Sequence, residues 1–326
     1  MKMVFKNLVT GLIIFLSLFS CKTTQLEYAS GKFVVIESTV SDSFKGLAVK
    51  YLDDPDKDWL ISEFNGIHAL RPGDNIVIPL TYFNIGGFKS TGYQIVPVFN
   101  YQVINNSSEL SKRNYFTEIQ LKSQFQFLRE NNIRVIAASE LLQFLEYKIQ
   151  IPEKSVVLTF TGQSKAFYET AYPVIAAFGY DATLFIDPER AGQDGEVSWA
   201  ILNELSSGGI NIQSCAGASD LTIDGFNGTF KDYFFFIEKK IALSKQLIEK
   251  QLGKRCTFYA YPGGKSNHLI INFLEKHGFE GAFINSGDGN PFFVDNFEIN
   301  RVNINYTTSI DEYKSKIITF QHLDLN

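Results

Sequence analysis

Cysteine, histidine and tryptophan are scarce in this sequence of 326 residues, with three, four and two copies respectively. His68, His268, His277 and His322 are scattered, without the close spacing of a metal site, and read as surface or capping residues. Basic charge is not in excess either. The net charge is −5 and the pI about 5.5, and no basic stripe runs along any segment, which excludes a nucleic-acid binder. There is no phosphate-cradling glycine loop, no Ser/His/Asp arrangement, no internal repeat and no low-complexity tract. What the chain has in abundance is apolar and aromatic residues. It is 45% hydrophobic, with 30 phenylalanines and 15 tyrosines, enough to bury a sizeable core in more than one domain.

The first residues read as a targeting segment. Lys2 and Lys6 precede an apolar run from Leu8 to Phe19, which has the length of a signal-peptide core and is too short for a membrane-spanning helix. It ends at Leu18-Phe19-Ser20-Cys21, which resembles a bacterial lipobox. The resemblance implies a signal peptide over residues 1–20 and a mature chain beginning at a lipidated Cys21. Several acyl chains there would hold the protein on a membrane of the bacterial envelope, inner or outer. An uncleaved anchor, or a secreted protein with a chance cysteine, is the alternative. Residues 21–31 read as a polar tether.

Residues 32–81 read as a small βααβ domain. Phe33-Val34-Val35-Ile36 is a β-branched strand. Ser41-Asp42-Ser43 can cap a helix through Leu47, Ala48 and Tyr51, and Asp58 a second one through Trp59, Leu60 and Phe64 that stops at Asn65-Gly66. After a turn at Arg71-Pro72-Gly73-Asp74, Asn75 to Leu80 returns as a strand. The opening strand, the turn at Ser41-Asp42-Ser43-Phe44, Asn65 and the closing turn Leu70-Arg71-Pro72-Gly73 together resemble a LysM domain. That implies binding of peptidoglycan or another N-acetylglucosamine polymer, against a simpler role as spacer or protein-docking module.

Residues 82–92 read as a linker punctuated by Gly86, Gly87 and Gly92. Beyond it strands and helices alternate, which predicts an α/β fold with a parallel sheet or barrel and helices outside. Expected strands are Gln94–Phe99, Arg134–Ile136, Ser155–Phe160, Ala182–Ile186, Ile210–Ser214, Thr257–Tyr261 and Gly281–Ile284. Expected helices are Phe116–Asn131, Ser139–Tyr147, Lys165–Phe178, Trp199–Ser207, Asp232–Leu252, Asn267–His277 and Ile310–Phe320.

In such a barrel chemistry sits at the C-terminal strand ends. Tyr93 to Val103 resembles the opening strand of the NodB-type polysaccharide deacetylases. Ser155-Val156-Val157-Leu158-Thr159-Phe160 resembles the strand before their Thr-Phe-Asp-Asp-Gly motif, and Ser198 to Ser214 the segment before their His-Ser/Thr-x-x-His motif. Phe258-Tyr259-Ala260-Tyr261-Pro262-Gly263-Gly264 matches their Phe-Ala-Tyr-Pro-Tyr-Gly segment, and Glu298-Ile299-Asn300-Arg301-Val302 their late Arg-containing strand. Residues 93–326 are thereby identified as a NodB-type domain, with the distorted (β/α) barrel of that family. The resemblance implies hydrolysis of an N-acetyl amide by a divalent metal, usually zinc, held by one Asp and two His, with a second Asp as base.

The residues at those positions do not supply that chemistry. Thr161-Gly162 stands for the Asp pair, Cys215 and Ser219 for the His pair, and Gln102 follows Tyr101 where the family has Tyr-His. No metal cofactor and no catalysis are therefore expected. Two rescues are conceivable. Cys215, Cys256 and His268 could form a new constellation, but strand direction separates the cysteines by roughly 15–20 Å. The same separation opposes a Cys215–Cys256 disulfide. Asp187, Asp220 or Asp224 could be displaced ligands, but nothing in their spacing selects them. The expectation is an envelope lipoprotein that binds glycan, with Tyr101, Tyr259 and Tyr261 as candidate stacking rings, or that docks an envelope protein partner. The enzyme-class alternative is an active metal-dependent deacetylase with a rebuilt site.

Overall fold

The computed structural model describes residues 25–102, 116–215 and 226–323. The chain divides into two compact units between Thr81 and Tyr82.

The smaller unit runs β1 (Gln25–Ala29), β2 (Phe33–Glu37), α1 (Phe44–Leu52), α2 (Asp58–Asn65) and β3 (Asn75–Pro79). The strands form an antiparallel sheet in the order β1-β2-β3. Alternation along the strands turns Val34, Ile36, Ile76 and Ile78 onto Leu47, Ala48 and Ile61 of the two helices. Ser43 caps α1 by accepting from the Gly46 N–H at 3.1 Å. Residues 25–29 were expected to be tether. They form a strand instead, because pairing with β2 covers an edge that would otherwise present unpaired backbone groups.

Asn65 binds the end of α2 to the sheet. Its Nδ2 donates to the Val77 carbonyl at 2.6 Å and its Oδ1 accepts from the Val77 N–H at 2.9 Å. Asn65→Ala breaks both bonds and leaves a partly buried peptide unit short of partners, so we expect a loss of about 2–3 kcal/mol. Thermal melts of the small unit check this, and an unchanged midpoint would remove the clamp from the account.

The larger unit runs β4 (Phe88–Lys89), β5 (Gly92–Val96), β6 (Val98–Gln102), α3 (Glu118–Glu130), β7 (Arg134–Val135), α4 (Ala138–Leu145), β8 (Ser155–Thr161), α5 (Tyr172–Phe178), β9 (Thr183–Ile186), α6 (Trp199–Ser207), β10 (Asn211–Ser214), α7 (Phe230–Leu252), β11 (Phe258–Ala260), α8 (His268–Lys276), β12 (Gly281–Ile284), β13 (Asn290–Pro291), β14 (Ile299–Asn300), β15 (Val302–Ile304), α9 (Ile310–Ser315) and β16 (Phe320–His322). A nine-stranded sheet follows the order β14-β12-β11-β10-β9-β8-β6-β15, with β7 joined to β8. Its pairings are parallel. Only Arg301 separates β14 from β15. The same length of chain therefore pairs first with β12 and then with β6, and the barrel nearly closes.

Alternation along the strands sorts the core into two clusters. Phe99, Tyr101, Leu158, Phe160, Leu184, Ile186, Ile212 and Tyr259 pack with residues of the outer helices such as Leu121, Phe125 and Ile237. Val98, Val157, Phe185, Phe258, Ala260 and Phe283 occupy the other strand face and pack with Leu141, Leu142 and Phe144 of α4.

Four readings differ from expectation by more than a shift of one or two residues at an element's end. Pro97, which has no N–H to donate, splits the expected strand Gln94–Phe99 into β5 and β6. β5 then joins an antiparallel sheet with β4, β13 and β16. The helix expected over Lys165–Phe178 opens with a π turn at Phe167–Ala171 before α5. The last helix stops at Ser315, and Phe320–His322 returns as β16. Residues 82–92 are not a free linker. The Phe83 and Asn84 N–H groups donate to Gln150 Oε1 at 3.1 and 2.9 Å, and β4 pairs with β5.

Candidate active site

The inner strand faces carry mostly apolar residues until they approach the C-terminal ends. There Asn100, Thr161, Cys215, Asn285, Arg301 and Asn303 come together. Arg301 is the hub, and only 1% of it is exposed. Its Nη1 donates to Thr161 Oγ1 at 3.1 Å and to Asn100 Oδ1 at 3.4 Å, and its Nε to the Ile284 carbonyl at 3.4 Å. The guanidinium lies 5.5 Å from the centre of the Phe185 ring. Thr161 Oγ1 donates to Asn100 Oδ1 at 2.9 Å, and Asn100 Nδ2 donates to Asn303 Oδ1 at 2.9 Å and Asn285 Oδ1 at 3.3 Å. Burial lowers the Arg301 pKa to about 10, which still leaves it protonated at neutral pH.

Thr161 ends β8, and Gln102 stands opposite it in register at the end of β6. Gly162 follows with φ +105°, in the left-handed half of backbone space, and its N–H donates to the Phe185 carbonyl at 3.0 Å. The Cys215 N–H donates to the Ile186 carbonyl at 2.7 Å. Burial pushes the Cys215 thiol up to about 11; the Arg301 charge pulls the other way and Asp187 adds to the rise. The neutral thiol is a weak nucleophile and a weak ligand. In a chain carrying Cys21→Ser, iodoacetamide is therefore expected to label Cys215 slowly at pH 7.5, with the rate climbing toward pH 11. Fast labelling at pH 7.5 would contradict this reading. Burial also raises the Asp187 pKa. Its side chain is engaged, accepting from the Glu189 N–H at 3.1 Å.

These residues do not fit a divalent metal. The Thr161 hydroxyl is spent on Asn100, Gly162 offers no side chain, the Cys215 thiol holds its proton, and a buried guanidinium beside them opposes a second cation. Among the described residues no group of three His, Cys, Asp or Glu side chains could hold a metal ion. His268 begins α8 and His277 caps its end, His68 lies in the smaller unit, and His322 is in β16. Ser219, Asp220, Asp224 and Cys21 lie outside the described residues.

The cysteines stay apart, and both are free. Ser214 pairs with Tyr259, so Cys215 is level with Ala260 while Cys256 lies below Phe258. The offset is roughly 13 Å along the strands, a little less than strand direction alone suggested.

The three candidate stacking tyrosines are a correction. Tyr101, Tyr259 and Tyr261 are at most 1% exposed. They sit at strand ends as expected, but alternation turns them to the helix-covered side. Tyr101 stacks on Phe160 with ring centres 4.8 Å apart and donates to Gln124 Oε1 at 3.1 Å. Tyr259 meets Tyr261 edge-on, and the Tyr261 hydroxyl donates to the Phe297 carbonyl at 2.9 Å. The residues that do line the inner face, Asn100, Asn285 and Asn303, are ones that sequence reasoning missed. For Asn100 in β6 and Asn303 in β15 the available signal was an asparagine at an inward position of a largely apolar strand; Asn285 follows the end of β12 and carried no such signal.

A model of the polysaccharide deacetylase family matches residues 148–282. A Bacillus subtilis (strain 168) protein described as a polysaccharide deacetylase is 24% identical over 187 residues, covering 57% of this chain and 62% of the relative. A poly-β-1,6-N-acetyl-D-glucosamine N-deacetylase of Escherichia coli (strain K12) is 26% identical over 251 residues, covering 63% of this chain and 37% of the relative. The chain thus spans less than two thirds of either relative. The Streptococcus pyogenes deacetylase PplD, solved in complex with acetate, superposes with a TM-score of 0.60 at 17% identity, over 70% of this chain and 100% of that one, which is a likeness of fold.

Proposed function

We propose that this chain, whose residues 148–282 match the polysaccharide deacetylase model, is an envelope lipoprotein that uses the fold to hold or scaffold N-acetylglucosamine polymers without hydrolysing them. One observation carries the loss of chemistry. Arg301, Thr161 and Asn100 bond to one another at the strand ends where the family's reaction needs a base and a metal.

The polymer is suggested by the Escherichia coli relative, a poly-β-1,6-N-acetyl-D-glucosamine N-deacetylase, and by the LysM-like sequence of the smaller unit. That unit carries a cleft of about 570 Å³ lined by Asn65, Ile67, His68, Arg71, Asp74 and Asn75, among others. Amide, carboxylate and guanidinium groups beside an apolar floor suit sugar hydroxyls and acetamido groups. Cys21 provides the anchor.

The test is sedimentation of the full chain with insoluble peptidoglycan or chitin. The chain should pellet, and a chain starting at Tyr82 should stay in the supernatant. If the shortened chain pellets equally, the smaller unit is not the glycan holder; if neither pellets, a protein-docking role replaces this one. The anchor is checked separately. Cys21→Ser removes the acyl acceptor and is expected to move the protein out of the detergent phase, whereas unchanged partitioning would refute lipidation.

A further inference from the structure

A groove of about 560 Å³ lies on the outer side of the barrel, over the seam where the chain passes from β12 to β6. Its floor is one face of the antiparallel sheet. Alternation along β5 turns Tyr93 and Ile95 to this face, with Pro97 after them, and Gln94 and Val96 to the buried face. At the seam Asn300 and Val302 line the groove, and Val302 belongs to the outer core cluster. Arg301 between them turns inward to Thr161. The groove and the strand-end network therefore lie on opposite faces of one segment. Gln102, Phe116, Cys215 and Phe226, which flank residues 103–115 and 216–225, take no part in the lining.

One wall is fixed through its backbone. Gly287 has φ +92°, and its N–H donates to the Arg301 carbonyl at 3.1 Å. A Cβ on Gly289 would lie 2.9 Å from Ile95 Cγ2, so the missing side chain lets this loop settle on the sheet. A wall already in place does not have to be ordered by a ligand. The lining itself has two chemistries. The Tyr93 and Phe293 rings form a corner, with centres 5.7 Å apart and planes at 71°. Phe292 meets both rings edge-on, and Phe293 is 62% exposed, so the apolar surface is contiguous rather than a single stray ring. Asp288, Asn300, Lys316 and Gln321 add hydrogen-bond donors and acceptors, with one charge of each sign.

We propose that this groove binds a chain of uncharged pyranose sugars. The aromatic corner offers apolar surface to the C–H face of a pyranose ring. The amides, carboxylate and ammonium answer its hydroxyls, which both donate and accept. A wholly apolar ligand would strip water from those groups and leave them unpaired. A strongly charged ligand would meet a like charge at Asp288 or at Lys316. The volume is that of a small-molecule site. The choice of N-acetylglucosamine as the sugar rests on the function proposed above, whereas the site itself does not. One groove of this kind holds its sugar with a Kd of about 1 mM. That is too weak to carry the protein down with an insoluble polymer, so the sedimentation experiment reads the smaller unit.

Phe293→Trp, at an exposed position of the full chain, puts an indole reporter in the corner. The emission of the unsubstituted chain, which carries Trp59 and Trp199, is subtracted. Titration with N-acetylglucosamine tetramer should shift the added emission to the blue and saturate, with a midpoint of about 1 mM. Asp288→Ala in the reporter chain should raise that midpoint about threefold or more, as loss of a hydrogen-bond acceptor does. Tetragalacturonate, an acidic pyranose chain, should bind more weakly than the neutral tetramer. Because an indole can itself alter the corner, hydrogen exchange of the unsubstituted chain with about 5 mM tetramer, several times the expected Kd, is the second measurement. Exchange should slow at residues 287–294. A saturable shift with slowed exchange there supports the groove even if the sedimentation experiment fails. A silent reporter with unchanged exchange at 287–294 overturns it even if the full chain pellets. Tighter binding of tetragalacturonate than of the neutral tetramer overturns the assignment to uncharged sugars.

Discussion

Thr161→Asp is expected to raise the thermal midpoint by roughly 4–8 °C, and Gly162→Asp, one residue along, to lower it by a similar amount. The opposite signs follow from what each position faces. Thr161 Oγ1 already accepts from Arg301 Nη1 at 3.1 Å. An aspartate there replaces a neutral acceptor with a charged one and gives the buried guanidinium a counter-charge that no described residue supplies, a net gain of about 2 kcal/mol after its own dehydration. The gain has a defined pH window. Beside Arg301 the introduced carboxylate has a folded-state pKa below its unfolded value. Its stabilisation is therefore present above the unfolded carboxylate range and is lost as pH falls through the folded pKa. Gly162 has φ +105°, where a side chain with a Cβ is strained by about 1–3 kcal/mol. Calorimetric melts of both variants at neutral pH, and of Thr161→Asp again at pH 3, check these signs. A Thr161→Asp protein no more stable than the parent would mean that Arg301 is neutralised in some other way.

That pair also bears on rebuilding the enzyme. Thr161→Asp, Gly162→Asp, Cys215→His, Ser219→His and Gln102→His together would restore the residue types the family resemblance implies. At position 162, however, the obstacle is the backbone. Gly162 has φ +105° and its N–H is committed to Phe185, so the side chain introduced by Gly162→Asp points wherever that conformation sends it. The five-fold variant is accordingly expected to bind zinc weakly unless residues 161–163 relax. Zinc bound at one equivalent would show that the loop adapts.

The barrel was legible in the sequence because its signals are local and repeated. Strands rich in Val, Ile and Phe alternate with helices whose caps are written out, as at Ser198 for α6 and Asn267 for α8. Boundaries failed where a single residue outweighed the pattern, as Pro97 does between β5 and β6. The tyrosines were misplaced for a different reason. Their positions at strand ends were right, but which face looks into the barrel depends on register, and a one-residue step exchanges the two faces. Tyr259 and Tyr261 bracket Ala260, and it is Ala260 that faces inward. The Arg301 network was invisible for a related reason. Arg301, Asn100 and Thr161 are far apart in sequence and meet only because β14–β15 closes against β6 beside β8.

The largest effect expected of this protein is the absence of one. The family's hydrolysis requires a base to activate water and a metal to polarise the amide. Loss of the base alone would cost about 10²–10⁴-fold in rate, and loss of the metal removes the Lewis acid as well. At the family positions that are described, Thr161 cannot accept a proton at neutral pH, Gly162 has no side chain, and Cys215 is held as a neutral thiol by burial. Of the groups that could replace them, Asp187 is bonded to the Glu189 N–H. The direct measurement is metal content and acetate release together. The purified full chain is incubated with N-acetylglucosamine oligomers and zinc or cobalt, and both bound metal and liberated acetate are quantified. Metal well below one equivalent and acetate release no faster than in buffer are expected. One equivalent of zinc with turnover that survives Cys215→Ala would contradict this.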